Sequence, residues 1–192
     1  MCQVSQRDDD QANAIDKALF QQIAENRNTA AMQNFYERYR SRLIPFLSRM
    51  TSDHAVLEEV YNDVMLTVWN KADQFQGNSK VSSWVFSIAY RMCLKILKKQ
   101  TFRQRVLDSF SLFRENEEEA VGFEDADNEE HEKLRIAIKQ LSAKHRMVVE
   151  LSYFQGYSTE QIGEIADCPV NTVKTRLHHA RQKIHAYMSM EK

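Results

Sequence analysis

Apolar residues recur every three or four positions along most of this 192-residue chain, and that period fixes what it can build. Met32, Phe35, Tyr36, Tyr39, Leu43, Phe46 and Leu47 form one stripe and predict an amphipathic helix over 30–50. Pro45 removes one of its hydrogen bonds and is expected to bend it. A weaker helix is expected before it, over 13–25. Leu57, Val60, Tyr61, Val64, Met65, Val68 and Trp69 predict a helix over 53–71. Trp84, Val85, Ile88, Ala89, Met92, Ile96 and Leu97 predict another over 82–99, with Tyr90, Arg91, Lys95, Lys98 and Lys99 on its outer face. Gly77, Asn78 and Ser79 mark the loop between those two. Two prolines and four glycines are too few for the frequent turns of an all-β chain. The predicted fold class is all-α.

The formal net charge of −1 conceals a segregation. Residues 1–113 carry a net +3, residues 114–132 a net −9 and residues 133–192 a net +5. Two basic modules flank an acidic strip too polar to bury a core of its own. The division expected from this is 13–100, a flexible acidic linker over 101–132, and a second small helical domain over 133–190. No apolar run approaches the roughly 18 residues of a membrane span, and the polar, acidic start does not read as a signal peptide. A cytoplasmic protein is expected. Cys2, Cys93 and Cys168 have neither disulfide-framework nor zinc spacing, so reduced thiols and no metal are expected.

In the second module Leu134, Ile138 and Leu141 begin a helix. Met147, Val148, Leu151 and Phe154 begin the next, which Gly156 is expected to stop. Ser158 with Gln161 has the form of a capping box, and Ile162, Ile165 and Ala166 give that helix its buried face. A short break centred on Pro169 follows. In the last helix Val173, Leu177, Ala180 and Ile184 share one narrow sector at about 100° per residue. Asn171, Lys174, Thr175, His178, Arg181 and Gln182 lie opposite, with Arg176 and His179 on the flanks. No Asp or Glu occurs from Pro169 to Met190. A merely solvated face would mix both signs of charge. This pattern predicts a helix-turn-helix whose second helix offers donors to base edges and phosphates.

The stretch S-T-E-Q-I-G-E-I-A-D-C-P-V-N-T-V-K-T-R-L-H-H-A-R resembles region 4 of bacterial RNA polymerase sigma factors of the extracytoplasmic-function (ECF) group. Upstream, F-Y-E-R-Y-R-S-R-L-I-P-F-L, E-E-V-Y-N-D-V-M-L-T-V-W and F-Q-G-N-S-K-V-S-S-W-V-F-S-I-A-Y-R resemble region 2, in the same order. The likeness leaves out only the first dozen residues and the acidic strip. It implies a non-enzymatic protein, without cofactors, that binds core RNA polymerase and promoter DNA and is restrained by an anti-sigma factor.

By the same resemblance Glu58, Glu59, Asn62 and Asp63 meet the polymerase clamp. The family usually has four residues like D-A-E-D where this chain has Val56, Leu57, Glu58 and Glu59. Asn78, Lys80, Tyr90, Arg91 and Lys95 would hold the melted −10 strand, by stacking and by contacts to its backbone. Trp84 matches a family tryptophan but lies on the apolar stripe and reads as core. Arg91 stands where relatives often carry Asn. Asn171, Lys174, Thr175, Arg176, His178, His179 and Arg181 would address the duplex −35 element. His178 and His179 replace an aromatic and an Arg, and Ser152 a basic residue. The acidic strip would serve as a tether and occupy polymerase's basic RNA path. A helix-turn-helix regulator that acts without polymerase is the alternative. A third class, an enzyme, has little support, since no Gly-rich phosphate loop, metal spacing or nucleophile motif appears.

Overall fold

The computed structural model describes residues 2–51, 53–110 and 129–189. Among them eight α-helices and no strand occur: α1 (Cys2–Asn26), α2 (Thr29–Ser48), α3 (His54–Lys71), α4 (Val81–Phe110), α5 (Glu129–Lys139), α6 (Ala143–Val149), α7 (Thr159–Ala166) and α8 (Val170–Ser189). The all-α expectation holds, and most boundaries fall within a few residues of the periodic stripes.

Local chemistry explains several of those boundaries. Asn28 caps α2 by accepting from the Ala31 N–H, and the Asp53 carboxylate caps α3 by accepting from Ala55 and Val56. Pro45 sits inside α2 three residues before its end, so the lost bond falls in the last turn. α7 starts with the expected capping box, Ser158 and Gln161 each satisfying the other's backbone N–H. Gly156, at φ +71°, occupies the left-handed region that closes the preceding turn.

Three boundaries differ from expectation. α1 starts at Cys2 rather than near residue 13, α4 continues to Phe110, and α5 begins at Glu129. Parts of the expected linker are therefore helical, while residues 111–128 lie outside the described residues. A π-helical turn over Glu150–Phe154, unanticipated from periodicity, follows α6.

The first half packs around aromatic rings. Phe35 stacks on Tyr39 at 4.3 Å between centroids, and Phe20 of α1 meets the edges of Phe75 and Trp84 at 5.2 and 5.3 Å. Trp84 is thus a packing residue, as its stripe position predicted. In the second half Met147, Val148, Leu151, Ile162, Ile165, Val173, Leu177 and Ala180 are buried together. Burying each of the larger of these contributes roughly 1.5–3 kcal/mol, which is what a polar segment such as the acidic strip cannot gather. α4 packs along α7, so the two halves meet.

Candidate nucleic-acid interface

The outer face of α8 is built by what surrounds it. Asp167 takes a left-handed conformation at the end of α7, φ 47°, and its N–H returns to the carbonyls of Gly163 and Glu164. A Cβ on Gly163 would stand 3.0 Å from the Cys168 carbonyl oxygen, so glycine there lets α7 and the turn close up. Val173, Leu177 and Ala180 then bury one side of α8. Asn171, Lys174, Thr175, His178, His179 and Arg181 are exposed on the rest. The Thr175 hydroxyl donates to the Asn171 carbonyl at 2.9 Å, so its proton is already engaged within the helix. Arg176 is the exception: half-buried, it donates to the Cys168 thiol at 3.5 Å and to the Tyr90 hydroxyl.

His145 of α6 joins this helix from the side. Its Nδ1 lies 2.8 Å from the Ser142 hydroxyl, and its ring lies 6.2 Å from that of His179, itself 5.9 Å from His178. Burial, then the charges of Lys183, His179 and Arg176, push the His145 pKa down. Sequence reading did not single out His145, because its partners come from another helix.

Residues of the second group divide. Asn78, Arg91 and Lys95 are exposed, and Lys80 is half-buried; Asn78 donates to the Gln76 side chain at 3.2 Å. Tyr90 departs from expectation. Placed on the outer face of α4 by the pattern, it is only 3% exposed, because Arg176 and Cys168 of the second half cover it. Burial is also the main cause that raises its pKa. Cys93, buried one turn further, has its thiol pushed up to about 12 by burial, so it packs as an apolar group.

The third group lines one face of α3. Glu58 accepts two bonds from Arg40, at 2.7 and 3.2 Å, and Asn62 accepts one from the Tyr36 hydroxyl at 3.1 Å. Glu59 and Asp63 are exposed, and Leu66, one turn on, is 56% exposed. Leu66 escaped notice in the sequence because a single outward leucine in an apolar helix carries no pattern.

Two family descriptions match this chain: Sigma-70 region 2 over residues 35–103 and Sigma-70, region 4 over residues 131–184. It is 30% identical to the ECF RNA polymerase sigma factor SigL of Mycobacterium tuberculosis over 154 residues, which cover 79% of this chain and 85% of the relative. The chain belongs to the ECF RNA polymerase sigma factors. It is also 28% identical to ECF RNA polymerase sigma factor SigX of Bacillus subtilis, over 82% of this chain and 84% of that one. The fold matches that of a sigma factor RpoE solved with the anti-sigma factor NepR from Bartonella quintana, with a TM-score of 0.65 at 23% identity, covering 83% of this chain and 99% of that one. The fold also matches CnrH, solved with the cytosolic domain of CnrY, with a TM-score of 0.68 at 18% identity, over 93% and 99%.

As an ECF sigma factor the protein binds core RNA polymerase and directs promoter-specific initiation through −10 and −35 elements. The reading as a regulator acting without polymerase is not favoured. Among the described residues no helix is long and apolar enough to cross a membrane.

Proposed function

We propose that the three groups of residues divide the sigma factor's work. α8 reads the duplex −35 element with Lys174, Thr175, His178 and Arg181, while Asn171 and His179 reach flanking phosphates. The loop with Asn78 and Lys80, together with Arg91, Lys95 and Tyr90 of α4, holds the melted −10 strand. Glu59, Asp63 and Leu66 of α3 dock on the polymerase clamp, oriented by the Arg40–Glu58 and Tyr36–Asn62 contacts. Arg176 acts from the flank, against phosphate or in packing.

The observation that carries this reading is the exposed, acid-free outer face of α8 behind a capped α7. Phosphate neutralisation by Lys and Arg supplies affinity, and donors aimed into the major groove supply sequence choice. An anti-sigma factor is proposed as a further partner, since the sigma factor RpoE described above was co-crystallised with one. The domain division follows the same reading, with region 2 in the first half, region 4 in the second and the acidic strip between.

Titration of the labelled full-length chain with core polymerase tests the division of labour. Saturable binding in the absence of DNA, competed by another sigma factor, is the expected result. Binding to −35 duplex without any binding to core would support the regulator instead.

A further inference from the structure

Arg176, His179 and Lys183 follow one another at spacings of three and four along α8, so they share one flank of it. His179 is turned about 100° from His178, which sets this flank beside the base-reading face rather than on it. α6 closes over the flank from the side. The His145 ring stands 6.2 Å from that of His179, and Lys183, His179 and Arg176 all bear on it electrostatically. His179 and Lys183 are exposed, His145 is half-buried, and Arg176 is already engaged by the Cys168 thiol. Two imidazoles and one ammonium group thus meet where no base is read.

The surroundings give this cluster little negative charge. α8 itself has no acid from Pro169 to Met190, and α6 adds Lys144 beside His145. On α5, which packs along α8, Glu132 is taken by Arg135 at 2.6 Å, and Glu130, Lys133 and Lys139 share that helix. Glu160 of α7 feels Lys174, on the reading face. Glu150, beyond the end of α6, is paired with Arg49, and α4 meets α6 where Arg146 bears on Cys93. Burial, then the neighbouring cations, hold the His145 pKa below its usual value in the free chain. A phosphate seated against the cluster opposes the second cause, because nearby opposite charge favours the protonated form.

We propose that His145, His179 and Lys183 form a phosphate seat on the flank of α8, which holds the backbone of the −35 duplex and takes up protons as it does so. The proposal rests on the reading of α8 as the −35 helix. Lys183 supplies a fixed charge, and His179 is the open imidazole. The His145 Nδ1 is engaged with the Ser142 hydroxyl, so Nε2 is the nitrogen left for phosphate. An imidazole protonated on binding becomes a charge-assisted donor, the stronger kind. Linkage then fixes the sign. The complex holds more protons than its free partners, so affinity rises as pH falls through the histidine range. Base choice stays with the reading face, and the seat adds affinity evenly across sequences.

Fluorescence anisotropy of the full-length chain on a labelled −35 duplex tests this, at about pH 6 and about pH 8 and over a range of salt. Circular dichroism confirms the helix content of every variant. The parent is expected to bind about tenfold more tightly at the lower pH, with a salt slope steeper by about one. His145→Gln and His179→Gln should each cut that gain to about threefold, and the double variant to within about twofold. His179→Arg, charged at both values, should bind at the higher pH as the parent does at the lower, a rescue that packing alone would not give. Glu150 titrates at about 7, inside the same interval, so Glu150→Gln is one control; His54→Gln, in the first half, is the other. Both should keep the parent's response. Equal parent affinity at both pH values overturns the seat and leaves the −35 reading standing, and so does a double variant with the full gain. A gain lost with His179→Gln but untouched by His145→Gln also overturns it. A chain that binds no duplex at either pH overturns the −35 assignment, and the seat with it.

Discussion

The Tyr39 hydroxyl donates to Asp16 at 2.7 Å while Arg38 donates to the other carboxylate oxygen at 2.6 Å, so one 2%-exposed aspartate ties α1 to α2. Both donors of α2 depend on it, and Tyr39 has no solvent to turn to. Asp16→Ala is expected to destabilise the chain by about 1–3 kcal/mol, the cost of leaving the buried Tyr39 hydroxyl without its acceptor, since the Arg38 left behind keeps contact with solvent. Asp16→Asn should cost less, since its amide oxygen still accepts one bond. Urea denaturation followed by circular dichroism checks both.

Glu150 gives stability a pH dependence. Burial raises its pKa to about 7 despite the neighbouring Arg49 and the Gln155 side chain, both of which pull it down. A carboxylate raised on folding binds its proton more tightly in the native state. Its contribution is therefore fully present below the ordinary value near 4.5 and is lost as pH rises through about 7. The parent should lose up to about 3 kcal/mol between those limits relative to Glu150→Gln, whose side chain does not titrate. Melting temperatures of the two proteins across pH 4.5 to 8, flanking the interval above, should agree most closely at the acid end and separate as pH rises, with the parent falling below Glu150→Gln. Parallel curves would show that Glu150 stays ionised throughout.

Lys174 and Thr175 stand side by side on the open face of α8. If Lys174 meets a base edge, Lys174→Ala should weaken −35 binding by about 1–3 kcal/mol and relax preference at one position. If it meets phosphate alone, binding should weaken evenly across sequences, with the salt slope falling by about one. Competition among single-base variants at several salt concentrations separates the two. No change in either places Lys174 outside the interface.

Glu59 is the exposed carboxylate of α3 left beside the Arg40–Glu58 pair. Glu59→Lys is expected to weaken core binding by about 2–5 kcal/mol if the clamp contact is desolvated, and by far less at a wet rim. Duplex −35 binding should be unaffected. Titration of core and of duplex against the folded variant gives both numbers.

How much of this was legible in the residues follows from what each signal depends on. The stripes of α2, α3 and the first part of α4 were readable because burial on one side of a helix imposes its period on the sequence. The Ser158–Gln161 cap and the Gly156 stop were readable for a similar reason, since each acts within a few residues of itself. Tyr90 was misjudged because Arg176, 86 positions later, is what buries it. The Arg49–Glu150 pair was invisible for the same cause: two charges 101 positions apart give no local pattern. The full extent of α1 and α4 was also missed, because polar residues continue a helix without marking it. For the candidate site, the α8 face was recognisable from its missing acids, whereas His145 and Leu66 needed the fold.

The central claim is that one chain carries polymerase docking and both promoter contacts, and transcription by core polymerase tests it most directly. Purified core plus this chain, with no other sigma factor, should yield run-off transcripts from a matched promoter. Changes confined to the −10 element should reorder promoters for Arg91→Asn, and changes confined to the −35 element should reorder them for Lys174→Ala. Core that binds the chain yet never initiates, on templates whose −35 duplex the chain binds, would contradict the account.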